Sequence, residues 1–436
     1  MTADRPVTAG AGRIVSLDQF RGFTVWSMIL VNFLGGFDAC PDVLKHHNTY
    51  CSLADTVMPG FLLAVGFAFR LTFGQRELQQ GRGAAYGRIA WRLAGLMLIA
   101  ILLYTPSELA SSWKDLQQIG FGGVLYELIK RDWFQTLLHI AATMLWLLPV
   151  IRCSLQTIVG WGVGSALLHL ILSYAGYFHW VFAEPPSIDG GPLGFLTWTL
   201  PAVAGIVACD WVTSYHRTPR PESEWRTEWQ RQLRWATLAM LVGWTLSCGT
   251  RFYDPMPPVA SADATVPPAE VVVPEGVARD PVWPSLPRRQ AWQERVAQEG
   301  WRAVVAEWPL MPPPEPVPPS ATHPAGIAAR EKNYWMMSQR AGTLSYLVFA
   351  SGWAWAVYLL FHWLTDRRGW VVAPLTTFGT NALAVYILHD WVGRAVGAWA
   401  PSDAPGWYVT IITVIYLTIC YRLICWLELR GIYVRI

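Results

Sequence analysis

The feature that most constrains this chain is the recurrence of apolar runs about as long as a membrane is thick. A helix needs roughly 20 mostly apolar residues, about 17–25, to cross the hydrocarbon layer. Such runs lie near 20–37, 53–73, 90–104, 133–151, 155–177, 194–212, 235–251, 342–363, 371–391 and 407–427. They predict an all-α fold, a polytopic membrane bundle of about ten transmembrane helices. The third run is short, and its helix is expected to begin before Arg92. Composition agrees: 53% of the 436 residues are hydrophobic and 14% charged, whereas soluble chains carry about 25% charged residues. The 26 tryptophans suit the headgroup layer, where an amphipathic ring is half wet. A net charge of +3 is too small to point to nucleic acid. Residues 1–19 are polar and no small-residue cleavage site follows the first run, so that run reads as a retained helix rather than a signal peptide.

Basic residues set the expected orientation, because Lys and Arg near helix ends favour the cytoplasm. Arg76, Arg82, Arg88 and Arg92 lie in one connection, Arg217, Arg220, Arg226, Arg231 and Arg234 in another, and Arg367, Arg368, Arg430 and Arg435 in a turn and the tail. All fall on one side if both termini are cytoplasmic and the protein sits in the inner cell membrane. Three regions follow: an N-terminal membrane half, 1–251, with about seven helices; a proline-rich insertion, 252–341, expected outside the cytoplasm; and about three C-terminal helices, 342–436. Prolines such as those in Met311-Pro-Pro-Pro-Glu-Pro-Val-Pro-Pro319 favour extended, solvated backbone, with a short helix expected around 288–308. The amphipathic stretch 107–130 is expected to lie on the outer membrane surface or cap the bundle.

Ionisable groups inside membrane helices are costly and point to function. Asp18, Arg21, Met28 and Asn32 fall on one helical stripe; Asp18 and Arg21 can pair as an anchor, and Asn32 can bond a neighbouring helix or serve the reaction. Asp55, in Ala54-Asp-Thr-Val-Met-Pro59, can cap the second helix or orient an imidazole. Arg70 lies near the other mouth. His46 and His47 precede Asp55 in Cys40-Pro-Asp-Val-Leu-Lys-His-His-Asn-Thr-Tyr-Cys51. Histidine titrates near neutral pH and can take a proton from an attacking hydroxyl or amine. Adjacent histidines cannot easily share one ion, so no metal is expected. Cys40 and Cys51 flank the loop, as a disulfide or as free thiols; the other five cysteines are scattered with no CxxC pair. Late in the chain, Asn381, Tyr386 and His389 fall within one predicted helix, with His389 toward the outer end. There is no Walker A sequence, no GxGxxG on a strand–helix turn and no HExxH, which leaves ATP-driven pumping, dinucleotide chemistry and zincin hydrolysis unsupported.

These residues resemble the heparan-α-glucosaminide N-acetyltransferase family of membrane acetyltransferases and its bacterial relatives. Arg13-Ile-Val-Ser-Leu-Asp-Gln-Phe-Arg-Gly22 resembles the family's R-x-x-S-x-D-x-F-R-G opening, and Val31-Asn-Phe-Leu-Gly-Gly36 the V-N-x-x-G that follows. Lys45-His46 with Leu53-Ala-Asp-Thr-Val-Met-Pro-Gly-Phe61 resembles K-H followed by A-D-L-V-F-P-x-F. Trp133-Phe-Gln135, Lys332-Asn-Tyr-Trp335 and Gly379-Thr-Asn-Ala-Leu383 resemble V-L-Q-R, N-K-x-L-W-T and G-M-N-A-L, which brings Gln135 and Trp335 among the substrate-binding candidates. The resemblance implies an acetyl-CoA co-substrate from the cytosol and acetylation of an amino sugar or glycan across the membrane. By it His46 is the catalytic histidine and Asn32 lies near the reaction centre; Asp55 joins them as a catalytic candidate from its place beside the histidine loop. The spacing from Lys-His to Ala-Asp is one residue shorter than in the family, which keeps His47 as the other candidate, and Asn48-Thr-Tyr-Cys-Ser52 replaces the usual W-x-G. Arg13, Arg21 or Arg70 would meet the acyl-CoA phosphates, with Asp18 at the same mouth. Asn32 or Asn381 could donate to the developing oxyanion, and His389 lies level with the histidine loop. The partners implied are the glycan acceptor and membrane lipids, with a homodimer left open and nucleic acid excluded. The alternatives are a transporter or flippase of a small polar or lipid-linked substrate, a membrane anchor whose proline-rich loop binds another protein, and O-acylation of a surface glycan.

Overall fold

In hydrocarbon a helix satisfies its own backbone, so apolar runs become helices joined by short polar turns. The computed structural model describes residues 14–47, 50–106, 110–217, 221–247, 297–298 and 334–434, and no strand occurs among them. In chain order the helices are α1 (Val15–Leu34), α2 (Val57–Gln80), α3 (Arg82–Tyr104), α4 (Trp113–Glu127), α5 (Thr136–Leu147), α6 (Leu155–Leu172), α7 (Phe178–Phe182), α8 (Phe195–Arg217), α9 (Glu222–Ser247), α10 (Leu344–Phe361), α11 (Ala373–Thr380), α12 (Ala382–Gly397) and α13 (Gly406–Leu429). The third run does begin early, at Arg82.

Among the described residues, length and hydropathy do not confirm the expected count of about ten spans. Six helices among the described residues are long and apolar enough to cross a membrane, or seven if the bent pair α4–α5 is one span. The other runs are largely helical where described but carry polar groups. α1 carries Asp18 and Arg21, and the first half of α9 is charged, from Glu222 to Arg234. The run 371–391 breaks at Asn381, whose φ and ψ of −124° and 38° separate α11 from α12. The stretch 107–130 contains α4, interrupted at Gly120, where φ is 66°. The segment Trp113–Asp132 lies at 85° to Thr136–Val150.

Close helix contacts occur where side chains are absent. A Cβ on Gly66 of α2 would lie 2.1 Å from the Ala202 carbonyl oxygen, and one on Gly205 of α8 would lie 2.0 Å from that of Leu63. Gly22 and Gly379 bring α1 and α11 together in the same reciprocal way, at 1.8 Å from Leu375 O and 2.0 Å from Asp18 O. Gly243 and Gly352 do so for α9 and α10. Small residues let backbones approach where lipid supplies no hydrophobic drive between helices. α9 precedes the insertion and α10 follows it, so the membrane segments on either side of the insertion form one bundle.

Polar groups collect at the two ends of this bundle. At one end lie the turns after α2, α5, α8 and α10. There the Arg70 guanidinium forks onto Asp210, Nε and Nη2 each donating at 2.9 Å, and Nη1 donates to Ile151 O. At the other end three loops meet: 35–56, 183–194 and 334–343. The last of these falls partly within the segment assigned to the proline-rich insertion. From Tyr334 onward it is part of the bundle, with Tyr334, Met336 and Met337 buried. The expected helix around 288–308 lies outside the described residues except for 297–298, which are helical.

The glycine contacts make a direct prediction. Gly66→Ala should lower the thermal unfolding temperature of the detergent-purified protein, corresponding to overpacking of about 1–3 kcal/mol. Gly74→Ala in the same helix meets nothing within 4 Å and should be neutral or slightly stabilising through helix propensity. Equal effects at both sites would show that the α2–α8 contact is looser than this.

Candidate functional site

The site starts from one buried carboxylate. Asp55, 1% exposed, ends the loop after α1 and leads through a 3₁₀ turn, Ala54–Thr56, into α2. A charge removed from water must be hydrogen-bonded, and Asp55 is supplied on both oxygens. Oδ2 accepts from Ser52 N–H at 2.9 Å and Ser52 Oγ at 3.0 Å, and Asp55 N–H donates back to Ser52 Oγ at 3.3 Å. That reciprocal pairing is a capping box. Oδ1 accepts from His46 Nδ1 at 2.8 Å. From α10 the Tyr346 hydroxyl donates to the Asp55 main-chain oxygen at 2.5 Å. Asp55 therefore both closes the 3₁₀ turn that leads into α2 and orients an imidazole. With Nδ1–H committed to the carboxylate, the neutral ring has its lone pair on Nε2. The His46 side chain is 54% exposed. Burial alone would push its pKa down, but the Asp55 hydrogen bond and charge, with the charge of Asp189, outweigh it and hold the imidazole above the ordinary histidine value.

Two further loops close on the same ring. Asp189, 5% exposed, has a left-handed φ of 53° and is followed by Gly190 and Gly191 at 88° and 60°. Only glycine fits beside it, because a Cβ on Gly190 would lie 2.8 Å from Gly194 Cα and 3.4 Å from Gly342 Cα. Gly190 N–H donates to Arg340 O at 2.8 Å, Trp198 Nε1 to Asp189 O at 2.7 Å, and Thr197 Oγ1 to Gly342 O at 2.7 Å. Gln339 Nε2 donates to Asp189 Oδ1 at 2.9 Å. Burial pushes the Asp189 carboxyl up to about 6, with Gln339 and His46 opposing. Lys130, 1% exposed, anchors this loop by donating to Ala183 O at 2.9 Å, its ammonium 4.8 Å from the Trp180 ring.

Asn32 belongs to a second polar group. His389 Nδ1 donates to Tyr386 O at 2.6 Å, which leaves Nε2 to accept from Asn32 Nδ2 at 3.4 Å. This pair opens on a cleft of about 430 Å³, lined also by Asp390, Arg394 and Tyr416. The Tyr386 hydroxyl is hydrogen-bonded to that of Tyr104, and Asp189 acts electrostatically on both phenols. Tyr386 also lies 5.5 Å, ring to ring, from His389, so it stands between the two groups. No hydrogen bond joins Asn32 to His46 among the described residues.

The remaining sequence candidates divide. His47 donates from Nε2 to Asp42 O at 2.8 Å and stacks on Tyr50 at 4.2 Å, so its ring is engaged within its own loop. Asn381 is buried, donating to Ile432 O at 3.1 Å and accepting from Val434 N–H at 3.0 Å; its amide holds the C-terminal tail and breaks the α11–α12 run. Gln135 donates to Asp132 O at 2.8 Å, and Trp335 to the Tyr174 hydroxyl at 2.9 Å. Asp18 lies 3.9 Å from Arg21, which also donates to Gly379 O at 3.4 Å. Arg70 has its fork filled by Asp210. Arg13 lies outside the described residues. Instead, Arg21 shares an electrostatic neighbourhood with Arg76, Arg88 and Arg92, and Arg76 Nη1 is buried without a hydrogen-bond partner. Cys40 and Cys51 are free thiols. Among the described residues no three His, Cys, Asp or Glu side chains are grouped so as to hold a metal ion.

Neither a protein-family model nor a curated protein matches this chain, so the site is defined by its own geometry. That geometry makes the His46–Asp55 bond testable. Carbethoxylation of His46, followed by mass spectrometry across pH, should give a midpoint above about 6.5, the ordinary histidine value. A raised value means the ring stays protonated, and unreactive, to higher pH. Asp55→Asn removes the stabilising charge and should move the midpoint to lower pH; an unmoved midpoint would dissociate the two residues.

Proposed function

We propose that this protein is a membrane acyltransferase that moves an acetyl group from acetyl-CoA on the cytoplasmic side to an amine or hydroxyl of an amino sugar or glycan on the other. The observation that carries this reading is His46, held by a buried carboxylate through Nδ1 so that Nε2 is free to act as a base at the loop end of a membrane bundle. The motif resemblance around Arg13–Gly22, Val31–Gly36 and Lys45–Phe61 points the same way. At the opposite end Arg21, Arg76, Arg88 and Arg92 supply the positive charge that a polyphosphorylated acyl donor requires.

In this mechanism Nε2 of His46 takes a proton from the acceptor as its nitrogen or oxygen attacks the thioester carbonyl. Asp55 stabilises the imidazolium that forms. Asn32 would serve the developing oxyanion, its amide already committed to His389 in the resting state. The thioester carbon–sulfur bond then breaks, and the proton passes from His46 to the departing thiolate. In the expected orientation the termini and the arginine cluster face the cytoplasm and the three loops face outward.

The test is incubation of purified protein with labelled acetyl-CoA and a panel of amino sugars. General base catalysis contributes about 10²–10⁴-fold, so His46→Ala should reduce transfer by that order while leaving acyl-CoA binding intact. His47→Ala should do much less, because His47 is spent on Asp42 and Tyr50. The wild-type rate should fall as pH drops through the raised pKa of His46. Near-wild-type transfer by the double variant would abolish the histidine mechanism. The cleft of about 430 Å³ at Asn32 and His389 would then favour passage of a small polar substrate.

A further inference from the structure

A narrow apolar groove runs along α1 to the loop that presents His46. Its walls are Phe20, Phe23, Trp26 and Leu30 of α1 and Trp353 and Val357 of α10. The start of α2 closes its back, where a Cβ on Gly60 would lie 2.7 Å from Thr24 Cγ2. Phe23, Trp26, Leu30, Trp353 and Val357 are each half-buried, so the groove is open on one side. Between Phe20 and Val31, both of which line it, the helix rises roughly 16 Å at about 1.5 Å per residue, about half of the ~30 Å hydrocarbon layer.

The groove suits a hydrocarbon chain and not a sugar. Two of its three hydroxyls are spent inside the protein: Thr24 Oγ1 donates to Arg21 O and Thr56 Oγ1 to Leu53 O, each at 2.7 Å. Its volume is about 100 Å³, against about 430 Å³ for the cleft at Asn32 and His389. Apolar surface of this kind is covered by apolar matter, not by water. What sets the groove apart from an ordinary lipid-facing surface is where it ends. Leu44, Leu53 and Thr56 line its loop end. Leu53 N–H donates to Val43 O at 3.0 Å, which holds the two ends of that segment together. The same segment carries His46, bonded to Asp55 at 2.8 Å. Leu44 is two residues before His46, and Thr56 directly follows Asp55. One loop thus lines the end of an apolar groove and presents the candidate base.

We propose that the acceptor is lipid-linked: an amino sugar or glycan whose hydrocarbon chain lies in the groove between α1 and α10 while its sugar reaches His46. This rests on the acyltransferase reading for the reaction, but not for the binding of the lipid. The transfer balances as before. The acceptor N–H or O–H proton goes to His46 Nε2, the new bond to the acetyl carbon forms, the carbon–sulfur bond breaks, and the thiolate leaves with the proton. Holding the chain brings the acceptor to the base already oriented, which lowers the entropic cost of the encounter.

The experiment uses the full-length protein in phosphatidylcholine nanodiscs with a glucosaminyl lipid that carries a photoreactive diazirine midway along its chain. After irradiation, mass spectrometry should place adducts on residues 20–31 and 353–357. Excess unlabelled glucosaminyl lipid should remove them, and excess phosphatidylglycerol should not. Ser27→Trp fills the groove from α1 and Val357→Trp fills it from α10; each should cut the adduct yield by about tenfold, since a chain tolerates little overpacking. Gel filtration checks that both variants are folded. Leu98→Trp in α3, at a side chain 58% exposed away from the groove, should leave the yield unchanged. Adducts spread over all lipid-facing residues, or displaced equally by phosphatidylglycerol, mean that the groove holds ordinary bilayer lipid and overturn the proposal. Adducts that require a second copy of the chain overturn it as well. In the acetyl-transfer assay both groove variants should raise KM for the glucosaminyl lipid and leave transfer to soluble glucosamine unchanged; an unmoved KM for the lipid overturns the acceptor class. If the wild-type protein acetylates neither acceptor, the functional reading fails while the crosslinking still decides the lipid site.

Discussion

Asp55 is the group on which the loop end depends. It is 1% exposed and lies at the start of a membrane helix, where an uncompensated carboxylate would cost several kcal/mol. The chain compensates it locally. Ser52 supplies a main-chain N–H and a hydroxyl, and His46 supplies Nδ1–H. Each donor fixes something else. Ser52 sets the entry of the chain into α2 through the capping box, His46 has its tautomer decided, and Tyr346 ties the same residue to α10. One desolvated charge thus couples the loop after α1 to the far half of the bundle.

The rest of the site is assembled across long sequence distances by glycine. Loops 183–194 and 334–343 can lie together because Gly190, Gly194 and Gly342 meet backbone to backbone. The same device joins α2 to α8 and α1 to α11. With α9 and α10 packed through Gly243 and Gly352, the residues on either side of the proline-rich segment belong to one assembly. Lys130 adds a different anchor, an ammonium stripped of water and satisfied by the Ala183 carbonyl and the Trp180 face. It fixes the start of the loop that presents Asp189.

Legibility followed sequence separation. The helical membrane fold was readable because hydrophobic runs report it directly, whereas the number of spans was not, because polar residues in α1, in α9 and at Asn381 interrupt runs that remain helical. His46 and Asp55 are nine residues apart, so their association could be anticipated from local chain geometry. Asp189 and Gln339 had no comparable signal: they lie 150 residues apart, and neither falls within a motif. Ser187-Ile-Asp-Gly-Gly191, a carboxylate before two glycines, is the trace that could have drawn attention to Asp189. Arg70 and Asn381 illustrate the converse. Each is polar in an apolar run, which invites a functional reading, but the groups that satisfy them, Asp210 and the C-terminal backbone, lie far along the chain or after the helix.

The bundle contains a second histidine–carboxylate pair, and the contrast with it is the reason His46 is the one proposed as a base. At the opposite end His362 Nδ1 donates to Asp366 Oδ2 at 2.8 Å, the same distance as between His46 and Asp55. The carboxylate also accepts from Ser16 N–H at 3.2 Å and Ser16 Oγ at 2.6 Å, again a serine contributing both groups. The local chemistry is nearly identical, so the hydrogen bond alone cannot distinguish a base from a brace. The surroundings do. The His362 side chain is 8% exposed and packed among the rings of Trp211, Trp225 and Tyr358, so an acceptor molecule has no approach to it. Its carboxylate ties the start of α1 to the end of α10. The His46 side chain, by contrast, is 54% exposed. A membrane protein can use one polar motif twice because helix ends require anchoring wherever they meet water; a solute can approach the ring only where the motif is left partly unpacked, as at His46.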